Sequence, residues 1–356
     1  MLYSLDEICL IPTAVSVVEH RSDVNVFTNK NNYPIFTAPM SCIVDSKNYD
    51  TLKEHRLNVI VPRSVSWGER LRFLKDGAWV AVGFKEAQYI YEHLELEVFT
   101  VTNTIRLCID QANGHMMSLL KLCKDLKERF GNKLKLMTGN IANPYAYREY
   151  AKAGVDYLRA SVGTGNVCTT SVQTGMHYPM GSLLIKLNEE REYVRNQVFH
   201  TGGFQELGAK YVSIPKIIAD GGFKRIDQCV KALALGADFV MLGEILAKSD
   251  EACGQIVVER NKYGFKSREY FGMSTEKAQM IVNNAALYSV DNFVPKHTEG
   301  QVKNVDVEYK LNEWLVDFEH ALRSSMSYAG TKDIKDYIGK VQYDYITPVT
   351  YKAYMK

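Results

Sequence analysis

The stretch Lys216-Ile-Ile-Ala-Asp-Gly-Gly-Phe-Lys-Arg-Ile-Asp-Gln-Cys-Val-Lys-Ala-Leu-Ala-Leu-Gly-Ala-Asp-Phe-Val-Met-Leu-Gly-Glu244 decides the fold. It opens on a short apolar run of β character, turns at Asp220-Gly-Gly222, and continues as a helical stretch from Lys224 to Leu235 that Gly236 stops. A second apolar run, Phe239-Val-Met-Leu242, ends at Gly243-Glu244. Strand, helix and strand in such close succession form a βαβ unit with parallel strands.

The same unit recurs toward the N-terminus. Candidate strands are Pro34–Ala38, Asn58–Val61, Trp79–Val82, Ile105–Ile109, Leu134–Met137 and Tyr157–Ala160, which with the two above makes eight. Between them, His115 to Phe130 aligns Met116, Leu119, Leu120, Cys123, Leu126 and Phe130 on one stripe before Gly131. The next helix has Asn143 as N-cap, Pro144 at the first helical position and Gly154 as terminator. Eight βα units close into a TIM (β/α)8 barrel, an α/β fold; a doubly wound open sheet is the alternative. The barrel absorbs residues 1–356 as one domain with a C-terminal extension. The sixth and seventh strands are unusually far apart, which predicts an insertion near 189–210. There Gly202-Gly203 is read either as the hinge of a lid or as part of a helical extension at a subunit contact.

Composition narrows the class. The chain has 356 residues, 46% hydrophobic and 24% charged, and 43 basic against 41 acidic side chains give a net charge of +2. Near-balance argues against a protein that coats nucleic acid or an anionic membrane. No apolar run reaches the ~18 residues of a membrane span, and the acidic start Met1-Leu-Tyr-Ser-Leu-Asp-Glu7 is not a secretory signal. Seven dispersed cysteines without a C-x-x-C pair form neither a disulfide framework nor a zinc site. A reduced, cytoplasmic enzyme is the expectation.

Polar and glycine residues gather after the strands, where a barrel assembles its active site. In Gly163-Thr-Gly-Asn-Val-Cys-Thr-Thr170 two glycines allow a tight bend, and Cys168 stands among Gly, Asn and Thr rather than in a core pattern. An accessible thiolate there is a nucleophile. Asp220-Gly-Gly222 and Gly243-Glu244 follow the last two strands, whose loops frequently form a phosphate site in eight-fold barrels.

Taken in order, Leu5–Pro12, Arg21–Val24, Thr37–Met40, Asp110–His115, Gly139-Asn140, Gly163–Thr170, Ile218–Gly222, Gly236–Gly243, Tyr270–Ser274 and Glu299-Gly300 resemble the IMP dehydrogenase/GMP reductase family. The resemblance runs from Ser4 to about Tyr337 and is closest to the reductases. Val61–Trp67 runs directly into Glu69–Leu74, leaving no room for the regulatory domain usual in dehydrogenases. Between Met273 and Glu299 there is Tyr288 but no arginine, so the dehydrogenases' water-activating Arg-Tyr pair is missing. Leu322–Asp333 is similar to the reductase C-terminal stretch.

The resemblance implies an NADPH-dependent reductive deamination of GMP, or a close guanine relative, to IMP and ammonia. Its alternatives are NAD-dependent oxidation of IMP to XMP, and an inactive barrel that binds a purine nucleotide. It implies Cys168 as nucleophile, with Thr170 and Glu299 handling the proton of the departing ammonia. Asp220 would hold the ribose. Asn166, Gly221, Gly222, Gly243, Glu244 and Tyr270 would line the phosphate side. Met40, Gly272, Met273, Ser274, Lys296, Glu299 and Gly300 would surround the base. The cofactor would meet Arg63, Asp110, Gln111, Ala112, Val162 and Gly163, and, from a neighbouring subunit of a homotetramer, Ser324, Ser325, Met326 and Ser327. Oxygens of Gly163, Gly165, Cys168 and Ser171 would ring a potassium ion. Departures from the family pattern cluster on the phosphate side: Asn166 replaces Ser, Glu244 replaces Gly or Ser, and Thr164, Ser171, Lys296 and Ser41 also differ. They predict an altered substrate, and an unfavourable Glu244 unless that carboxylate turns away or pairs with a base.

Overall fold

The computed structural model describes residues 1–28, 31–94, 104–258, 264, 266–296 and 300–354, except 201–211. Eight parallel strands form one sheet: β1 (Ile35–Thr37), β2 (Ile60–Val61), β3 (Trp79–Val82), β4 (Ile105–Ile109), β5 (Leu134–Ile141), β6 (Tyr157–Ala160), β7 (Lys216–Asp220) and β8 (Phe239–Leu242). Their spatial order runs from β1 through β8 and back down to β2. A parallel bridge between Phe36 and Asn58 then joins β1 to β2. Asn58 N–H donates to the Ile35 carbonyl at 3.0 Å, and its side-chain amide donates to the same oxygen at 2.9 Å. The open-sheet alternative is thereby excluded, and the sheet is a closed barrel.

Each strand is buried on both faces, hence the continuous apolar runs. Phe36, Trp79, Tyr157 and Phe239 meet inside the barrel, with ring centroids 5.0 to 6.0 Å apart and mostly edge-to-face. Because these residues lie toward the strand starts, the rings fill the N-terminal end and leave the opposite mouth to polar groups.

The surrounding helices are α1 (Tyr49–Glu54), α2 (Trp67–Lys75), α3 (Phe84–His93), α4 (Met117–Phe130), α5 (Ala146–Lys152), the short α6 (Thr170–Thr174), α7 (Met180–His200), α8 (Ile226–Ala234) and α9 (Glu244–Ala247). Local chemistry sets their starts. Ser66 accepts from Glu69 N–H and donates to the Glu69 carboxylate, capping α2 reciprocally. Helix α4 starts two residues later than the sequence stripe predicts, and Leu122 is buried where Leu120 is only half-buried. Helix α5 starts at Ala146 with Tyr145 as its N-cap, so Asn143 and Pro144 fall in the preceding turn rather than at the N-cap and first helical position; there Asn143 accepts from Tyr145 N–H at 3.1 Å.

The excess chain after β6 is helical as far as His200, so Glu189–His200 continues α7 rather than forming a loop. Arg148 holds Glu190, and Arg191 reaches Asp238 at 2.8 Å, pinning this helix to α5 and the start of β8. The Gly202-Gly203 pair lies outside the described residues. Among the described residues no helix is long and apolar enough to cross a membrane.

After α9 the chain leaves the barrel as a three-stranded antiparallel sheet, β9 (Ile256–Val258), β10 (Ser267–Phe271) and β11 (Val302–Asp306). Helix α10 (Glu276–Ala285) lies between β10 and β11, with Thr275 accepting from Ala278 N–H as its cap. Helix α11 (Leu311–Tyr328) returns to the barrel wall. The C-terminal extension then pairs Tyr343–Tyr345 with Ile8–Leu10, antiparallel.

Candidate active site

The loop after β6 organises the mouth. Cys168 is half-buried, and its Sγ lies 3.2 Å from Thr170 Oγ1, the first residue of α6. The other six cysteines fall elsewhere, and burial pushes the Cys42 thiol up to about 11 and those of Cys108, Cys123 and Cys253 up to about 12. Those buried thiols stay protonated.

Neighbouring strand ends close on this loop. Gly221 lies beside Gly165, and Asn166 donates to the Phe223 carbonyl at 3.4 Å. Gly222, at φ +83°, passes so near Thr164 that a Cβ there would fall 2.7 Å from the Thr164 carbonyl oxygen. Only glycine fits that approach.

The excursion sheet supplies the lid of the same space. Cys168 forms an antiparallel bridge with Gly300, and Gln301 N–H donates to the Val167 carbonyl at 2.9 Å. Gly300 packs against Ser274, and Gly272 against Val167. Gln279, which the sequence reading missed, donates to the Ser274 carbonyl at 3.1 Å and to the Lys296 carbonyl at 3.2 Å, and accepts from Lys296 N–H at 2.8 Å. One helix side chain thus joins two segments expected at the base. Glu299 lies outside the described residues; its chain neighbour Gly300 is the residue bridged to Cys168.

The cofactor-side and ribose-side candidates share a second missed residue. Arg159, on β6, donates from Nη1 to Asp110 at 2.6 Å and from Nε to Asp220 at 2.9 Å, and its Nη2 makes an ion-pair contact with Asp220 at 2.8 Å. The three side chains are 8 to 13% exposed. Burial works against the guanidinium's charge, but Asp220 and Asp110 outweigh it and hold Arg159 well above its ordinary range. Asn140 also donates to Asp220 Oδ2, at 2.6 Å. Two hydrogen bonds and the Nη2 contact therefore converge on Asp220 Oδ2. The signal for Arg159 was a lone basic residue inside an apolar strand, Tyr157-Leu-Arg-Ala160, which needs a buried anion.

Arg63 lies 3.9 Å from Asp110, with its Nε buried and without an acceptor. Gln111 accepts Asn140 N–H through its carbonyl, while Ala112 is exposed and Val162 half-buried just past the ends of β4 and β6. The serine cluster sits elsewhere in this chain. Ser325 Oγ is 2.7 Å from Tyr337 Oη, and the Ser327 carbonyl accepts from Ser16. Ser324 is half-buried in the same turn of α11. The Met326 side chain is fully buried, one helical turn beyond Leu322 on the core stripe of α11.

At the far corner, Met40, Gly243, Glu244 and Tyr270 converge. Tyr270 Oη is 4.0 Å from Met40 Sδ, and a Cβ on Gly243 would lie 2.7 Å from that hydroxyl. Burial holds the Tyr270 phenol protonated, well above its ordinary value. Glu244 pairs with a base: its Oε2 accepts from Lys303 Nζ at 2.5 Å. Met273, between Gly272 and Ser274, packs against the core as a half-buried side chain.

The four candidate cation ligands share one turn. The Gly165 carbonyl accepts Cys168 N–H at 2.9 Å, and the Ser171 carbonyl accepts Gly175 N–H at 3.0 Å. Each carbonyl keeps a second lone pair, and the Thr164 and Thr169 hydroxyls in the turn are buried without partners. Neutral oxygens of this kind fit a monovalent cation. Among the described residues no cluster of three or more His, Cys, Asp or Glu side chains is placed to hold a metal.

Comparison with known proteins agrees with this geometry. The sequence profile of the IMP dehydrogenase / GMP reductase domain matches residues 80–353. The chain is 27% identical to the GMP reductase of Lysinibacillus sphaericus (strain C3-41), over 96% of this chain and 95% of that protein. It is 29% identical to the GMP reductase of Oceanobacillus iheyensis over the same shares, and 29% identical to that of Bacillus anthracis over 92% and 91%. The match covers well over half of the chain, including every strand end from β3 onward, and the chain belongs to the IMP dehydrogenase/GMP reductase family.

Proposed function

We propose that the protein is an oxidoreductase that removes the 2-amino group of GMP, or of a close relative carrying the same guanine ring, by NADPH-dependent reductive deamination. The observation that carries the reading is the pairing of Cys168 with Thr170 at 3.2 Å under a strand segment bridged to Cys168 through Gly300. That arrangement supports the reading because the Cys168 thiol, the Thr170 hydroxyl and the residue immediately after Glu299 meet at one point.

Cys168 Sγ attacks purine C2, and the C2–N bond breaks as ammonia leaves, giving a thioimidate. Covalent capture divides a difficult displacement into two easier steps. Thr170, oriented by Cys168 and by Glu299 in the role expected of that carboxylate, delivers the proton the amine needs to depart. NADPH, when bound, supplies the hydride that converts C2 to the C–H of hypoxanthine, and Cys168 is released as thiolate. Asp220 accepts from the sugar, with Arg159 and Asn140 holding its carboxylate. Arg63 and Asp110 bound the nicotinamide side. Carbonyls of Gly163, Gly165, Cys168 and Ser171 would hold a potassium ion, which would supply positive charge beside the turn that carries Cys168. The serines of α11 serve a neighbouring subunit of a cytoplasmic homotetramer.

The test is purified protein with GMP and NADPH, followed by nicotinamide absorbance, with IMP and NAD as the opposing pair. Cys168→Ala is expected to abolish the reaction, by at least 10³-fold in line with loss of a covalent route. Unchanged turnover in Cys168→Ala overturns the covalent mechanism.

A further inference from the structure

We propose that the corner of the pocket at Glu244 and Lys303 is built to receive a primary hydroxyl rather than a phosphate, so that a guanine nucleoside is preferred over its 5′-monophosphate. The inference rests on the reading above, in which the purine lies over Cys168 and the sugar on Asp220. It names which guanine compound the site takes.

In eight-fold barrels, the loops after the seventh and eighth strands are where a phosphate is usually held, by glycine amides and a short helix start. Here Gly222 and Gly243 occupy those loops, but Glu244 is the first residue of α9 and its side chain is only 13% exposed. Its carboxylate turns toward Lys303, directly across from Tyr270 in the β10–β11 register. The Lys303 ammonium lies 5.7 Å from the centroid of the Tyr270 ring, so the ion pair and the buried phenol share one corner.

The hydrogen-bonding inventory of this corner decides its ligand. A carboxylate and a phosphate dianion are both acceptors, so no hydrogen bond joins them and their charges repel. The charge of Lys303 is already matched by Glu244, which removes the net attraction a phosphate would need. Of the other polar side chains expected here, Asn166 turns its amide toward the Phe223 carbonyl and the Tyr270 hydroxyl lies 4.0 Å from Met40 Sδ. A primary alcohol has the complementary set: it donates to Glu244 and accepts from Lys303. Glu244 and Lys303 are thus specificity-determining residues for the end of the substrate remote from C2.

The experiment compares kcat/KM for guanosine and for GMP with NADPH, in the unsubstituted protein and in Glu244→Ser. The expected result is at least a tenfold preference for guanosine, moving toward GMP by 100-fold or more in Glu244→Ser. As a measure independent of any variant's folding, guanosine is expected to protect Cys168 from iodoacetamide at lower concentration than GMP does. Preference for GMP in both measurements, or a ratio unmoved by Glu244→Ser, overturns the proposal while leaving the C2 chemistry standing. If neither compound is turned over and neither protects Cys168, the functional reading itself falls, and this inference with it.

Discussion

Replacing Arg159 by methionine removes the guanidinium that bridges Asp110 and Asp220 while keeping the apolar stem packed in β6. Two charge-assisted hydrogen bonds, at 2.6 and 2.9 Å, and an ion-pair contact at 2.8 Å are lost together. Breaking a buried ion pair by deleting one partner costs about 3–5 kcal/mol, because the other charge stays buried. Arg63, at 3.9 Å from Asp110, compensates in part. Unfolding entropy scales to roughly 0.75 kcal/mol/K for a chain of this length, so Tm should fall by about 4–7 °C. Activity should fall for a separate reason. In the proposed role Asp220 accepts from the sugar only while Arg159 and Asn140 hold its carboxylate, and one lost hydrogen bond to a charged group is worth about 1.5–3 kcal/mol, or roughly 10- to 150-fold in kcat/KM. Thermal unfolding by circular dichroism and steady-state kinetics by nicotinamide absorbance measure the two effects separately. Arg159→Lys keeps the charge but not the planar fork that reaches both carboxylates, so it should restore part of the Tm and less of the kcat/KM. A methionine variant melting within 1 °C of the original, with kcat/KM within about threefold, would refute the claim that this bridge organises the site.

Two further outcomes follow from other buried contacts. Glu86 accepts two hydrogen bonds from Arg70, at 2.7 and 2.9 Å, and one from Gly83 N–H at 3.0 Å. Burial raises its pKa, but Arg70 and Gly83 more than reverse this and leave it below the ordinary 4.5. A depressed carboxyl contributes its stability fully above the unfolded pKa and loses it as pH falls through the folded value. Chemical denaturation from pH 6 down to pH 3 should therefore show a steeper loss for the original protein than for Glu86→Gln, which starts lower by about 3–5 kcal/mol; parallel curves would contradict the assignment. In Gly243→Ala, the new methyl meets the Tyr270 hydroxyl at 2.7 Å in a site too buried to yield, costing about 1–3 kcal/mol. Combining it with Tyr270→Phe should recover part of that loss in a double-mutant cycle, and simple additivity would count against the clash.

The barrel was legible because its strands are nearly pure apolar runs set between glycine turns, a pattern that survives without knowledge of partners. Phe239–Leu242 and Trp79–Val82 come out with the expected bounds. The exceptions share one physical cause. Strand β2 begins at Ile60 rather than Asn58 because Asn58 spends its backbone and side-chain amides on closing the barrel against Ile35 and Tyr33. Leu122 is buried although the stripe omits it, since α4 is gripped by neighbours on both sides and its apolar face is wider than a single row. Tertiary context sets these boundaries, and no window of local sequence carries it.

The site divides along the same line. Cys168 and Thr170 could be paired from sequence because they lie two positions apart in one loop. The pairs that give the pocket its character are long-range: Arg159 with Asp110 and Asp220, Gln279 with Lys296, and Glu244 with Lys303. Each looked unremarkable or troublesome in isolation. Arg159 was a charge inside an apolar strand, and Glu244 an acid where a phosphate was expected. A buried charge is costly unless matched, so such residues announce that a partner exists without naming it. Met326 sits among serines, and only the i, i+4 spacing from Leu322 reveals that its side chain faces inward. Charge anomalies in an otherwise consistent barrel therefore mark where the site is assembled, and the identity of the matching group, Lys303 for Glu244, is what converts an apparent defect in a phosphate cradle into a candidate reader of a hydroxyl.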